Sequence, residues 1–133
     1  MIIGIGTDII SIQRIESILK GPTADKFQEK YFHAKELETA NKFSSLEDKA
    51  GSLAKRFAAK EAFAKALGTG VREGVKMKEI YVLNDALGCP YIQQSETVKT
   101  LLEIKPHHKV KIDLSLSDEY PMAVAFVIIS RGP

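Results

Sequence analysis

The feature that most constrains the fold is a long helical segment in the middle of the chain. Leu46 to Leu67 is rich in Ala, Lys and Leu, contains one glycine, and is followed by Gly68-Thr69-Gly70. This composition favours a helix of about six turns, and the glycines predict its C-terminal end. An apolar stripe along it is formed by Ala50, Leu53, Ala54, Phe57 and Ala64. A helix of this length needs a large apolar partner surface.

Three strand-like segments are predicted to supply that surface. Lys109 to Leu116 alternates apolar and polar residues, Met122 to Ser130 is almost continuously apolar, and Met1 to Gly6 reads as a short buried strand. The shorter predicted elements are a helix capped by Ser11, helices over Thr23–Phe32, Ala34–Phe43 and Ser95–Ile104, and a hairpin joining Ile80–Leu83 to Pro90–Gln93. We therefore expect an α+β fold, with a mainly antiparallel sheet packed against one long helix plus short helices.

The length and composition predict a single domain over residues 1–133. The chain has 44% hydrophobic and 27% charged residues, which is typical of a globular domain. Its longest apolar run, Met122 to Ile129, is shorter than the roughly 18–20 residues of a membrane helix. The N-terminus lacks the basic region of a signal peptide, and a single cysteine, Cys89, excludes an internal disulfide framework. We expect a cytoplasmic protein that does not bind membranes.

The positive charge is concentrated in one part of the chain. Residues 49–78 carry eight basic and two acidic side chains, whereas the net charge of the whole chain is only +2. Such a local basic region suits a small polyanion or an acidic partner better than a nucleic acid. The alternative is that these lysines simply form a solvated helix face.

Glu61 interrupts the apolar stripe of the long helix. An unpaired carboxylate on a core-facing side is costly, so a cation, a metal ion or a position at a subunit edge must compensate it. Lys65, one turn further on, offers a positive charge, and the simplest alternative is an ordinary Glu61–Lys65 surface pair.

Asp8 provides a second carboxylate, directly after the predicted N-terminal strand. Taken alone, it also fits a turn or capping residue. Magnesium is usually held by one or two carboxylates, waters and substrate phosphates. Asp8 and Glu61 beside a lysine-rich helix therefore predict a magnesium and phosphate site.

Two motifs resemble those of a known family. The first is Gly4-Ile5-Gly6-Thr7-Asp8-Ile9, continuing to Arg14 and Ile15, and it resembles the opening signature of the holo-acyl-carrier-protein synthases, the small phosphopantetheinyl transferases. The second, from Arg56 to Gly70, resembles their signature Phe-x-x-Lys-Glu-Ala-x-x-Lys-Ala-x-Gly-Thr-Gly. The resemblance extends to Gly88-x-Pro90-Tyr91 and to Leu114-Ser115-Leu116-Ser117, and thus over nearly the whole chain.

This resemblance implies a phosphopantetheinyl transferase fold and a specific reaction. The enzyme would move 4′-phosphopantetheine from coenzyme A to a serine of apo-acyl-carrier protein in fatty acid biosynthesis, releasing adenosine 3′,5′-bisphosphate. Asp8 and Glu61 would hold Mg²⁺ on the pyrophosphate, and Lys65 would act with them on the phosphates. The implied coenzyme A contacts are Arg56, Lys60, Lys65, Gly68, Thr69, Gly70 and Pro90.

The resemblance also implies partners and marks two departures. The acidic carrier would dock on the helix after Asp8 through Arg14, and the family is trimeric with sites between subunits, which would explain Glu61 on an apolar face. Asp113 stands where the family often has a histidine, and His33 stands where Thr or Ser is common.

Two other function classes stay open from the residues alone. A non-catalytic module that holds a nucleotide or coenzyme A would not need Asp8 and Glu61 to meet around a metal ion. A structural oligomerisation domain with solvated lysines would not bind coenzyme A at all. Magnesium-dependent transfer onto a carrier protein separates the enzyme from both.

Overall fold

The computed structural model describes residues 1–68, 76–102 and 109–132 of the chain. Five strands, five α-helices and one 3-10 turn occur in this part. In chain order they are β1 (Ile2–Ser11), α1 (Ile12–Lys20), α2 (Ala24–Tyr31), α3 (Ala34–Ala40), α4 (Leu46–Ala66), the 3-10 turn Met77–Glu79, β2 (Val82–Asn84), β3 (Pro90–Ile92), α5 (Glu96–Leu102), β4 (Val110–Glu119) and β5 (Met122–Arg131).

The main sheet is antiparallel, with strand order β1-β5-β4, and β2 and β3 form a separate hairpin. Helix α4 packs on one face of the main sheet, against β1 and β5 above all. The side chains between them are small on the helix and small or branched on β5, where Ala123, Ala125, Val127 and Ile129 are buried. The α+β class, the antiparallel sheet and the long packed helix are as predicted.

The N-terminal strand is longer than the sequence predicted. β1 runs through Asp8 to Ser11 because β5 pairs with it over that whole length, with Asp8 opposite Ala125. The interpretation of Asp8 as a residue following the strand was therefore wrong. Ser11 does cap α1, since its hydroxyl accepts a hydrogen bond from the Arg14 backbone N–H at 3.3 Å.

The second face of the main sheet carries an exposed apolar patch. Ile5 and Ile9 on β1 are 60% and 61% exposed, and Phe126 on β5, which pairs with Thr7 between them, is 40% exposed. Within the described residues, no helix combines the length and the hydropathy needed to cross a bilayer.

Candidate active site

The site is organised by an unusually close approach of β1 to α4. A Cβ atom placed on Gly4 would lie 1.9 Å from the Ala66 carbonyl oxygen, and one placed on Gly6 would lie 1.9 Å from the Ala62 carbonyl oxygen. Only glycine leaves room for backbone at this distance. The Gly-x-Gly of the first motif therefore presses the strand directly onto the helix.

This packing brings Asp8 to Lys65. The Lys65 Nζ donates hydrogen bonds to the Asp8 Oδ1 and to the Thr7 carbonyl oxygen, both at 3.0 Å. In the described part of the chain, the ion pair of Lys65 is with Asp8, 57 residues away in sequence. The simple helical pair between Lys65 and Glu61 is therefore not the arrangement found.

Glu61 belongs to the same group of charges. It is half-buried, and burial raises the pKa of its carboxyl, the neighbouring Asp8 charge raises it further, and Lys65 partly opposes both. The two carboxylates are thus near enough to repel each other, and the Lys65 ammonium is near enough to act on both. The proximity of Asp8 and Glu61 could not be read from the sequence, because the two residues are far apart in the chain. The position of Glu61 on the apolar stripe did predict that its carboxylate needed a partner.

The group fits a hard divalent cation. The site offers two carboxylates, Asp8 and Glu61, of which Glu61 is partly desolvated and Asp8 is bonded to one ammonium. Mg²⁺ binds to such carboxylates when phosphate and water oxygens complete its coordination. No cluster of three or more His, Cys, Asp or Glu ligands occurs among residues 1–68, 76–102 and 109–132. A cation here would therefore take Asp8 and Glu61 as its protein ligands.

Arg56 lines a separate cleft of about 280 Å³. Its guanidinium is buried and donates to the Ser52 hydroxyl at 3.0 Å and to the Asn84 Oδ1 at 2.9 Å. The Arg56 Nε is buried without a partner in the described chain, and burial lowers the pKa of the group. Lys55, which pairs with Asp118 at 3.3 Å, stands at the same cleft. Sequence spacing gave no signal for Asn84, because it lies 28 residues from Arg56.

The position of Lys60 corrects its predicted role. Its Nζ is fully buried and donates to the Glu36 Oε1 and to the Ile80 carbonyl oxygen, each at 2.6 Å. Burial lowers the pKa of Lys60 to about 8, while Glu36 opposes that shift. An ammonium enclosed in this way does not reach a phosphate, so Lys60 is a core residue that fixes its surroundings.

Glu36 was missed by the sequence analysis. Besides Lys60 it accepts from the backbone N–H groups of His33 and Val82, both at 3.0 Å. His33 caps α3 through its Nδ1, which accepts from the Lys35 N–H at 3.1 Å. The spacing His33-x-x-Glu36 is that of a capping box and was the one available signal.

The remaining predicted site residues lie in different places. Gly68 has a positive φ of 78° directly after α4, and Thr69 and Gly70 lie outside the described residues. Pro90 pairs with Asn84 in the hairpin and so adjoins the partner of Arg56. Arg14 is exposed on α1.

Asp113, which stands where the family often has a histidine, lies on the main sheet. Asp113 is exposed on β4 and pairs with Lys111 at 3.3 Å.

Comparisons with known proteins match nearly the whole chain. The family model of the 4′-phosphopantetheinyl transferase superfamily matches residues 4–125. A holo-[acyl-carrier-protein] synthase of Zymomonas mobilis is 47% identical, with 100% of this chain and 99% of the relative covered. The crystal structure of the holo-[acyl-carrier-protein] synthase from Neisseria meningitidis has a TM-score of 0.81 at 38% identity, covering 98% of this chain and 99% of that one.

A third comparison includes a ligand. The Bacillus anthracis holo-(acyl-carrier-protein) synthase, solved in complex with CoA (3′,5′-ADP), has a TM-score of 0.77 at 36% identity, covering 100% of this chain and 99% of that one. Coverage of this extent, together with the first and second motifs, identifies the family. The chain belongs to the holo-[acyl-carrier-protein] synthases of the 4′-phosphopantetheinyl transferase superfamily.

Proposed function

We propose that this chain transfers 4′-phosphopantetheine from coenzyme A to a serine hydroxyl of apo-acyl-carrier protein, with Mg²⁺ held by Asp8 and Glu61. The observation that carries the proposal is the meeting of Asp8, Glu61 and Lys65 where β1 presses on α4. These are the groups that a pyrophosphate needs: oxygen ligands for a cation and a mobile ammonium for the phosphate oxygens. The acyl-carrier protein of fatty acid biosynthesis is the proposed acceptor.

Lys65, Arg56 and the bound Mg²⁺ have different roles in the proposed reaction. Mg²⁺, when bound, neutralises charge on the phosphoryl oxygens and orients the leaving group. Lys65 is half-exposed at the last turn of α4, so its ammonium can contact phosphate oxygens and stabilise the departing adenosine 3′,5′-bisphosphate. Arg56 presents a buried guanidinium, held by Ser52 and Asn84, to an open cleft. That is an arrangement suited to a phosphate group, and we assign Arg56 to coenzyme A binding.

Docking of the carrier is assigned to α1 through Arg14. Arg14 is exposed one turn after β1, and it follows Asp8 by six residues. A carrier seated there would bring its serine towards the Asp8 end of the site. Since charge complementarity governs such encounters, Arg14→Glu should raise the KM for the carrier far more than the KM for coenzyme A. An equal change in both constants would contradict a docking role.

Trimerisation is supported by the exposed apolar patch on the main sheet. Ile5, Ile9 and Phe126 form a contiguous exposed patch there, and patches of this kind mark interfaces between proteins. Multi-angle light scattering should give a trimer for the unmodified protein and a smaller species for Ile9→Lys.

The cytoplasmic location remains a prediction from the single cysteine.

The transfer itself is tested by intact-mass spectrometry. The protein is mixed with coenzyme A, Mg²⁺ and an apo-acyl-carrier protein, and the carrier is expected to gain one phosphopantetheine. Asp8→Asn and Glu61→Gln should abolish the gain while their far-UV circular dichroism stays unchanged. Absence of any mass gain with folded protein would leave a non-catalytic coenzyme A module as the better account. Lack of saturable coenzyme A binding would instead favour a structural oligomerisation domain.

A further inference from the structure

The Asp8 carboxylate, a proposed metal ligand, is already engaged by a cation of the chain itself. The Lys65 Nζ lies 3.0 Å from the Asp8 Oδ1, and it donates a second hydrogen bond to the Thr7 carbonyl oxygen, also at 3.0 Å. The Asp8 side chain is mostly buried, at 19% exposure, whereas the Lys65 side chain is 56% exposed. The carboxylate is therefore fixed and the ammonium is the mobile partner.

We propose that the Lys65 ammonium pairs with the Asp8 carboxylate in the free chain. When metal and substrate bind, the ammonium leaves Asp8 and pairs with the phosphates of coenzyme A. This inference rests on the proposed function of Asp8 and Glu61. It adds to that function an ion-pair exchange, in which the same ammonium serves two anions in turn.

The charges at the site favour such an exchange. Without a cation, Asp8 and Glu61 would repel each other across the β1–α4 contact, and Lys65 lowers that repulsion. A divalent cation at Asp8 would in turn repel the adjacent ammonium. The long, half-exposed lysine stem lets the ammonium move away without disturbing α4, and incoming phosphate oxygens give it a new partner.

Competition between Lys65 and the metal ion has a measurable consequence. In the absence of coenzyme A, the ammonium occupies the Asp8 Oδ1 and repels an incoming divalent ion, so the free chain should bind the metal weakly. Coenzyme A removes that competitor, so metal and coenzyme A should each strengthen the binding of the other. Part of this mutual strengthening should depend on Lys65.

The test measures Mn²⁺ binding by electron paramagnetic resonance, without coenzyme A, in the full-length protein. Lys65→Gln should bind Mn²⁺ about fivefold more tightly than the unmodified protein. The matched control is Lys55→Gln, which removes the same charge from the same helix, from a lysine that is also paired with an aspartate, at 3.3 Å. Its Mn²⁺ affinity should be unchanged.

Two results would overturn the exchange. One is an unchanged or weaker Mn²⁺ affinity in Lys65→Gln; the other is an equal gain in Lys55→Gln, which would reduce the effect to general charge loss. Repeating both titrations with coenzyme A should show a smaller coenzyme A-induced gain in Lys65→Gln than in the unmodified protein, and an equal gain would also contradict the proposal.

Failure of the exchange is distinguishable from failure of the metal site. If Asp8→Asn and Glu61→Gln weaken Mn²⁺ binding but Lys65→Gln does not strengthen it, the site stands and the exchange is wrong. If neither acidic substitution changes Mn²⁺ affinity, the metal site itself is wrong. Thermal melts of every variant establish that each compared protein is folded.

Discussion

Gly6→Ala tests whether the strand–helix contact sets the catalytic geometry. The added Cβ would lie 1.9 Å from the Ala62 carbonyl oxygen, and ordinary contact begins at 3.4 Å, so β1 must move from α4 by about 1.5 Å. Because the three nearest atoms, the Ala62 carbonyl oxygen and carbon and the Ala66 nitrogen, are all backbone, no side-chain rotation relieves the clash. Asp8 is two residues further along β1 and Glu61 adjoins Ala62, so the shift falls between the two carboxylates.

The expected loss of activity follows from this displacement. Misplacement of reacting groups by about 1 Å costs on the order of 10²-fold in rate, so the kcat of Gly6→Ala should fall at least about 10²-fold. The overpacked contact should also cost about 1–3 kcal/mol of stability, which corresponds to a fall of roughly 4–11 °C in Tm for a chain of this length.

The assay separates the two effects. Phosphopantetheine transfer is followed by mass spectrometry well below the Tm that circular dichroism gives for each variant. The control is Gly132→Ala, whose Cβ would lie 3.9 Å from the Lys109 carbonyl oxygen, at ordinary contact distance. This variant should match the unmodified protein. A folded Gly6→Ala variant with unmodified kcat would refute the claim that close packing of β1 on α4 positions the site.

Three further outcomes follow from the structure, each read by thermal circular dichroism. Lys60→Met leaves the Glu36 carboxylate buried without its counter-charge, which should cost about 3–5 kcal/mol, or roughly 11–18 °C in Tm; an unchanged Tm would contradict the buried pair. Gly51→Ala should stabilise the protein by about 0.5–1 kcal/mol, because its Cβ meets nothing within 4 Å inside α4. Burial is the main cause that lowers the pKa of His33 from 6.5; Glu36 opposes this shift and nearby lysines add to it. Protonation would remove the Nδ1 acceptor, and it is therefore disfavoured in the folded state. Just below pH 6.5, stability should therefore fall more steeply with decreasing pH in the unmodified protein than in His33→Ser, which keeps a cap that does not titrate.

The sequence predicted what depends on local periodicity. The length of α4 and the anomalous position of Glu61 both follow from residue spacing within one element. Asp8 and Lys65 were predicted to lie at one phosphate site, but the ion pair between them was not predicted. The geometry of that pair required the actual close approach of β1 to α4.

What could not be predicted depends on contacts between distant segments. Lys60 and Arg56 stand one turn apart in a basic helix, and nothing in their spacing distinguishes a core ammonium from a cleft-lining guanidinium. Their surroundings are set by Glu36, 24 residues before Lys60, and by Asn84, 28 residues after Arg56. The family resemblance implied both as coenzyme A contacts. They differ because the Lys60 ammonium is enclosed by protein acceptors, whereas Arg56 lines an open cleft.

The most direct test of the central claim is anomalous diffraction from crystals of the protein grown with Mn²⁺ and coenzyme A. Two carboxylates from β1 and α4 are proposed to share one divalent ion against the pyrophosphate. The account predicts a single strong manganese peak in contact with the carboxyl oxygens of Asp8 and Glu61. A peak bound to neither carboxylate, with the pyrophosphate located elsewhere, would contradict it.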